Sequence, residues 1–290
     1  MKIRDILSQD RVTVSFEVFP PKAGLPLDSV MACTQRISLL KPDFCSVTYG
    51  ASMNTVAIAG HVQKNCGVTA LAHLTGVAST KESVKEKCAE LKALGVENIL
   101  ALRGDMPKDD SFVPSRDFPY ASDLMAEIRR QGDFCIGGAC YPEGHVESED
   151  KFHDIETLRI KQEAGADYLI SQMFFDNDIF YNFMYRLRDA GVTLPIIPGI
   201  MPLTAYRQIK HIKQISGTNL PAQLLAIADK FHNNPEAMQQ AGIVYAANQI
   251  IDLVANGVKA FHLYTMNKPE IVEGIMMNLE KVLGRDKLHA

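Results

Sequence analysis

The chain has 290 residues, of which 47% are hydrophobic and 22% charged, and its formal net charge is −4. This composition excludes a disordered chain, and so mild a charge favours neither nucleic-acid binding nor a basic membrane-binding patch. Charged residues near the start leave no room for a signal peptide, and no later stretch reaches the roughly 18 apolar residues of a membrane span. We therefore expect a cytoplasmic protein with a small ligand, built as one large domain or two small ones.

The six cysteines form no C-x-x-C pair, so we expect buried, reduced thiols. Tryptophan is absent from the chain. A flat ligand would therefore have to stack on other aromatic, histidine or aliphatic side chains.

Short apolar runs rich in β-branched residues alternate with helix-period segments along the chain. Eight runs are predicted to be strands, at residues 12–19, 44–49, 69–75, 99–103, 135–141, 168–174, 196–200 and 260–264. Several helical segments end in a glycine that a small apolar residue and the next strand follow. These glycines are Gly95, Gly165, Gly191 and Gly257. Glycine suits the left-handed position after a helix, so each one marks a helix-to-strand junction.

Eight parallel strands with crossover helices predict a (β/α)8 TIM barrel, formed by residues 1–290 as a single domain. A doubly wound sheet would usually carry a G-x-G-x-x-G turn after an early strand, and the sequence has none. About sixty residues separate the seventh and eighth strands, with helical patterns at 221–231 and 235–255. Because one crossover needs far fewer residues, we expect extra helices there.

Polar residues stand near the ends of the predicted strands, where a barrel gathers its chemistry. Glu17 has apolar neighbours on the first strand, so burial should raise its pKa and suit it to general acid catalysis. A buried pair of Glu17 with Lys or Arg fits the same pattern. His73 could be a hydrogen-bonded core residue rather than a ligand contact, and Arg103 and Asp105 could form a plain salt bridge around Gly104.

The other strand ends supply hydrogen-bonding and aromatic groups, among them Tyr49, Tyr141, His145 and Gln172. These groups suit an extended aromatic ligand with many heteroatoms. A metal ion fits less well, because the chain has no H-x-H or H-E-x-x-H cluster.

Eight short motifs, in this order, resemble those of the methylenetetrahydrofolate reductases. They are FEVFPPK at 16–22, SVTYGA at 46–51, AHLT at 72–75, LRGD at 102–105, YA at 120–121, YPEGH at 141–145, SQ at 171–172 and PGI at 198–200. The set covers nearly the whole chain, whose length resembles the bacterial, barrel-only form. The resemblance implies that FAD binds at the barrel mouth. It also implies ping-pong reduction of 5,10-methylenetetrahydrofolate to 5-methyltetrahydrofolate, with NADH or NADPH as the hydride source.

The resemblance further implies roles for single residues. Glu17 matches the general acid that protonates the departing folate nitrogen, and Asp105 matches an aspartate whose charge favours the cationic iminium. Gln172 matches a glutamine that orients folate through its amide. The flavin-contacting positions map to Thr48, Tyr49, Ala51, His73, Arg103, Gly104, Asp105, Ala121, Tyr141, His145, Asp154 and Lys161. Of these, Arg103 and Lys161 can meet the charge of the flavin pyrophosphate.

Three departures from the family pattern affect these assignments. Tyr206 stands where a Phe or Leu commonly offers an apolar surface to folate or nicotinamide. Lys268 stands where an Arg would bind the folate carboxylate, so the charge stays but the planar fork is lost. Thr157 and Ile160 replace an Asn and a basic residue, which predicts weaker FAD binding.

Two other functions stay open at this point. The chain could be a flavin- and folate-binding subunit that receives electrons from a partner protein rather than from free NADH. It could also be a flavin-free barrel lyase or methyltransferase, although it shows neither a metal cluster nor an obvious Schiff-base lysine. A homo-oligomer is compatible with any of these functions.

Overall fold

Strands and helices alternate along the chain in the computed structural model, which describes residues 1–21, 26–49, 54–106, 113–148, 150–215 and 218–285, without the side chains of 151, 211 and 213–215. The strands are β1 (Thr13–Val18), β2 (Phe44–Val47), β3 (Thr69–Thr75), β4 (Asn98–Leu102), β5 (Cys135–Cys140), β6 (Tyr168–Ser171), β7 (Ile196–Ile197), β8 (Gly199–Ile200) and β9 (Ala260–Tyr264). The helices are α1 (Ile3–Leu7), α2 (Asp28–Ser38), α3 (Thr55–Lys64), α4 (Lys81–Ala93), α5 (Ala121–Gln131), α6 (Lys151–Glu163), α7 (Asn177–Asp189), α8 (Tyr206–Ile215), α9 (Ala222–Phe231), α10 (Pro235–Ala255) and α11 (Pro269–Leu279).

All strand pairs are parallel, in the order β7-β6-β5-β4-β3-β2-β1-β9-β8. β7 and β8 are two halves of one strand, divided by Pro198, and they pair with β6 and β9 respectively. The backbone nitrogen of His262 donates to the Pro198 oxygen at 2.9 Å, so the ladder continues across the break. The two halves close the sheet, and the predicted (β/α)8 barrel is confirmed.

The predicted strands are all present, and most are shorter than predicted. β2 ends at Val47 and β6 at Ser171, so the polar residues that follow them lie in loops at the barrel mouth. The four junction glycines have φ values of 77°, 97°, 75° and 86° in chain order, as expected for the left-handed position after a helix. All six cysteines are free and five of them are buried, with Cys66 half-buried.

Three helices, α8 to α10, occupy the long connection before β9, and the predicted patterns correspond to α9 and α10. The short helix α1 has no counterpart in the sequence patterns. Its Ile3 and Ile6 are buried against Phe44, Leu100 and Tyr168 at the amino ends of the strands. α1 therefore covers the base of the barrel, and the opposite end is left for ligands. None of the described helices is both long and apolar enough to span a membrane.

Gly242 of α10 packs against the backbone that follows β8. A Cβ atom at this position would lie 2.1 Å from the carbonyl oxygen of Leu203, and only a main-chain shift could relieve that contact. We expect Gly242→Ala to lower the free energy of unfolding by about 3 kcal/mol, measured by chemical denaturation. The matched control is Gly274→Ala in α11, whose new Cβ would meet the movable side chain of Ile243. Equal stability of the two variants would contradict the packing assigned to Gly242.

Candidate active site

A cavity of about 830 Å³ opens at the carboxyl ends of the strands, a volume in the range of small-molecule and cofactor sites. Many residues that the sequence singles out line it together. They are Glu17, Thr48, Tyr49, His73, Arg103, Gly104, Asp105, Ala121, Tyr141, His145, Lys161 and Gln172. Ala51 lies outside the described residues. Asp154, Tyr206 and Lys268 are described but do not line the cavity.

Glu17 is the buried carboxyl group of this cavity, with 6% of its surface exposed. β1 places it between β2 and β9, where it is in register with Ser46 and Tyr264. Thr48 Oγ1 donates to Oε1 at 2.8 Å, and Ser46 Oγ lies 3.3 Å from Oε2. No Lys or Arg pairs with Glu17 within the described part of the chain. Among these residues the basic partners of Glu17 are histidines, so the interpretation of Glu17 as half of a Lys or Arg ion pair is not supported.

Within the described ranges, His262 of β9 is the closest basic group to Glu17. Its Nε2 atom lies 3.2 Å from Glu17 Oε2, and its Nδ1 atom lies 2.8 Å from Ser15 Oγ. Ser15 Oγ also lies 3.1 Å from the Phe261 carbonyl, to which it donates its hydrogen, so it can accept a hydrogen bond from the Nδ1–H group of His262. One further proton can then sit either on Nε2 or on Glu17 Oε2. The two side chains are therefore placed to share one proton, with Ser46 Oγ 3.2 Å from Nε2, and we call them the proton-sharing pair.

The pKa of Glu17 lies below its usual value, which makes the sequence prediction of a raised pKa wrong. Burial alone would raise it, as expected, but the interaction with His73 and the hydrogen bonds from His262 and Thr48 outweigh burial. Burial also lowers the pKa of His73 to about 4, so that imidazole is neutral at pH 7. At neutral pH, His262 and Thr48 are therefore the main groups that stabilise the Glu17 carboxylate.

His73 faces the cavity with 3% of its surface exposed. Its Nε2 atom lies 3.7 Å from Glu17 Oε2, and neither ring nitrogen has a hydrogen-bond partner among the described residues. A buried polar group without a partner is costly, so a bound ligand that supplies the partner would be favoured. The alternative that His73 is a hydrogen-bonded core residue is not supported.

Arg103 lies at the cavity wall, just after β4. Both terminal nitrogens of its guanidinium bind the carboxylate of Glu147, one of them at 3.0 Å, and Nε donates to the Gly104 oxygen at 3.3 Å. Glu147 therefore replaces Asp105 as the partner in the salt bridge considered from the sequence. Asp105 is exposed at the cavity mouth. The pKa of half-buried Tyr141 is raised to about 12, mainly by desolvation and in part by the charge of Asp105.

Tyr141 and His145 form one aromatic corner of the cavity, with ring centres 4.6 Å apart and planes at 88°. Behind this corner, the buried carboxylate of Asp154 accepts from the backbone nitrogen of His145 at 3.3 Å. Lys161 reaches the cavity from α6 and donates to the Ala139 oxygen at 2.7 Å. Burial raises the pKa of Asp154 and lowers that of Lys161. Asp154 thus supports the wall without facing the cavity.

Of the three substrate positions expected from the resemblance, one lies in the cavity. Gln172 lines it, and its side-chain oxygen accepts from the Met173 nitrogen at 2.9 Å. Tyr206 instead packs on α8 beside Lys210, whose ammonium lies 5.2 Å from the ring centre, and beside His232. Lys268 stands at the amino end of α11. Tyr206 and Lys268 therefore do not belong to the cavity lining.

Several residues around the site have no individual role from the sequence, although the last three named below belong to or follow the eighth predicted strand, whose end offers hydrogen-bonding and stacking groups. They are Ser15, Ser46, Glu147, His262, Tyr264 and Asn267. Alternation along β1 puts Ser15 and Glu17 on one face, and pairing of β1 with the last strand would have put His262 beside them. No local pattern pointed to Glu147. Within the described residues, no group of three His, Cys, Asp or Glu side chains is arranged to hold a metal ion.

A family model for methylenetetrahydrofolate reductase matches residues 2–280. The probable methylenetetrahydrofolate reductase (NADH) of Oryza sativa subsp. japonica is 36% identical, over 96% of this chain and 50% of the rice protein. The 5,10-methylenetetrahydrofolate reductase of Pectobacterium carotovorum subsp. carotovorum is 33% identical, over 93% of this chain and 91% of that protein. The chain thus spans about half the length of its plant relatives and most of the bacterial one.

A solved structure from Clostridium thermocellum has a similar fold. That protein is described as binding two copies of 5-methyl-5,6,7,8-tetrahydrofolic acid. The comparison has a TM-score of 0.64, covers 97% of this chain and 98% of the other, and shows 15% identity. At this identity the likeness concerns the fold alone.

Proposed function

The chain belongs to the methylenetetrahydrofolate reductase family, and from this premise we propose that it reduces 5,10-methylenetetrahydrofolate to 5-methyltetrahydrofolate. In this proposal FAD is the bound cofactor, and NADH and folate use the same cavity in turn. The observation that carries the proposal is the 3.2 Å contact between His262 Nε2 and Glu17 Oε2, which could hold a transferable proton, at a cavity large enough for cofactor and substrate rings. The plant relatives named for NADH support the choice of nicotinamide.

The residues of the cavity fit a flavin in three respects. The unpartnered ring nitrogens of His73 would gain hydrogen bonds from a heteroatom-rich ring, and Tyr141 and Tyr49 offer aromatic surface. Arg103 and Lys161 are the two full cations among the described lining residues, as a pyrophosphate requires. Thr48, Gly104, Ala121 and His145 complete the proposed contacts. When bound, FAD would supply hydride transfer between nicotinamide and folate.

For the substrate, we propose that Glu17 donates the proton that opens the folate ring. Because its pKa is lowered, the carboxyl group needs a nearby source of that proton. His262 Nε2, at 3.2 Å from Oε2, can hold that proton and pass it to Glu17 for the transfer, and a proton from solvent restores the pair between turnovers. A ligand that covers the cavity would also exclude water and favour the neutral acid.

Other residues would position the folate. Gln172 can donate to and accept from the pterin edge through its amide. Asp105, at the mouth, would favour a cationic intermediate once a ligand shields it from water. Tyr206 and Lys268 lie outside the cavity lining, so we assign them to parts of the folate that extend beyond it.

A visible spectrum of the purified protein, followed by anaerobic addition of NADH, tests the proposed cofactor and donor. We expect flavin absorbance that NADH bleaches. A colourless protein that binds no added FAD would contradict the proposal and favour a flavin-free barrel enzyme. Flavin that dithionite bleaches but NADH does not would instead favour an electron-donating partner protein.

A further inference from the structure

The charge around the cavity makes Arg103 the main contact for an anionic ligand. Of the two full cations in the described lining, Lys161 is half-buried and already donates to the Ala139 oxygen. The Arg103 side chain is 33% exposed and its guanidinium has the planar fork that binds phosphate oxygens. A pyrophosphate in this cavity would therefore compete for Arg103.

The guanidinium of Arg103 already binds the carboxylate of Glu147. Both terminal nitrogens of Arg103 bind the two carboxylate oxygens of Glu147, and Nε is used by the Gly104 oxygen. The ion pair also lowers the pKa of Glu147, so its carboxylate is charged at neutral pH. A second anion can reach the same fork only by displacing Glu147 or by accepting its repulsion.

Glu147 is held in place by the cavity wall. Its backbone nitrogen donates to His145 Nδ1 at 3.1 Å, and His145 packs on Tyr141. The loop that carries Glu147 therefore also carries two residues of the cavity lining. This attachment holds the backbone of Glu147 near Arg103, and the carboxylate itself is held by the guanidinium.

We propose that Glu147 is an internal competitor of the cofactor pyrophosphate for Arg103, and thereby limits the affinity of the protein for FAD. The inference rests on the proposed function, because it concerns the flavin of that site. Binding of FAD would replace the Arg103–Glu147 ion pair with an ion pair between Arg103 and phosphate. The loss of the first pair offsets much of the favourable free energy of the second. Since the side chains of Arg103 and Glu147 are both partly exposed, we expect the effect of Glu147 on FAD affinity to be moderate.

The test compares Glu147→Gln with wild type for two flavins, FAD and riboflavin, by quenching of flavin fluorescence. Gln keeps the shape of Glu but removes the charge, so we expect FAD to bind roughly three- to tenfold more tightly. Riboflavin lacks phosphate, and its affinity should not change. The matched control is Glu163→Gln, which removes the same charge from the far end of α6, where Glu163 pairs with Arg159.

Salt provides an independent readout. FAD binding to wild type breaks one ion pair and forms another, whereas binding to Glu147→Gln only forms one. Raising the ionic strength should therefore weaken FAD binding more steeply in the variant.

FAD affinity that is unchanged or lower in Glu147→Gln, relative to Glu163→Gln, would overturn the inference, because Glu147 would then be neutral or would orient Arg103. Equal tightening for riboflavin and FAD would overturn it as well, since the effect would not involve phosphate. Failure of the wild-type protein to bind FAD would contradict the proposed function, and the inference with it. The first two outcomes leave the proposed function intact.

Discussion

Replacing Glu17 by Gln is expected to abolish folate reduction and to leave reduction of the bound flavin by NADH intact. The amide can still accept the hydrogen bond from Thr48, but it has no proton to give to the departing nitrogen. Loss of a general acid typically costs about 10²- to 10⁴-fold in rate, so the folate half-reaction should fall by that factor. Anaerobic stopped-flow measurement of the two half-reactions separates the effects.

The matched control is Glu127→Gln, because Glu127 is also a buried carboxyl group but lies on α5 and binds Arg130 and Gln131. It should leave both half-reactions unchanged. If Glu17→Gln slowed flavin reduction as much as folate reduction, its role would be structural. Full folate turnover by Glu17→Gln would show that another group supplies the proton.

The second large effect is expected for His262→Asn, which should change the pH dependence and the rate of the folate half-reaction. The Asn amide can keep the contact with Ser15 and leaves the Nε2 position empty, so Glu17 loses its proton partner. Without the hydrogen bond and charge of His262, burial is less opposed and the pKa of Glu17 should rise. An acid is active below its pKa, so the pH at which the folate half-reaction fails should move upward.

The maximal rate of that half-reaction should fall at the same time, by roughly tenfold or more, because a weaker acid without a proton source donates less well. Single-turnover rates across a pH series measure both changes. His61→Asn on α3 is the control, since His61 does not line the cavity. An unchanged pH dependence in His262→Asn would contradict the proton-sharing pair, whatever happens to the maximal rate.

The barrel was accessible from the sequence because its signals are local. Alternation, apolar runs and junction glycines each occupy a few neighbouring residues, and they located every strand. Two features of the fold were not predicted from the sequence. Pro198 splits the seventh strand because it cannot donate to the ladder, and α1, with five residues, is too short to show a helical period.

Many of the residues that line the cavity could be predicted from the sequence, but the pKa of Glu17 could not. Strand ends were enough to collect Glu17, His73, Arg103 and Gln172 into one cavity. The pKa of Glu17 depends on His262, which is 245 residues away and becomes a neighbour only when the barrel closes.

The partner of Arg103 is another case of this kind, because Glu147 lies 44 residues away on another loop. Tyr206 begins α8 and Lys268 precedes α11, so both lie in segments beyond a strand end, and motif spacing alone could not fix the path of these segments relative to the cavity.

The central claim is that the protein passes hydride from NADH to methylenetetrahydrofolate through a flavin in this cavity. The most direct measurement mixes NADH-reduced wild-type protein, freed of excess nicotinamide, with 5,10-methylenetetrahydrofolate under anaerobic conditions while visible absorbance is followed. We predict that the oxidised flavin spectrum returns in one turnover, with formation of one equivalent of 5-methyltetrahydrofolate. A flavin that stays reduced in the presence of this substrate would contradict the account.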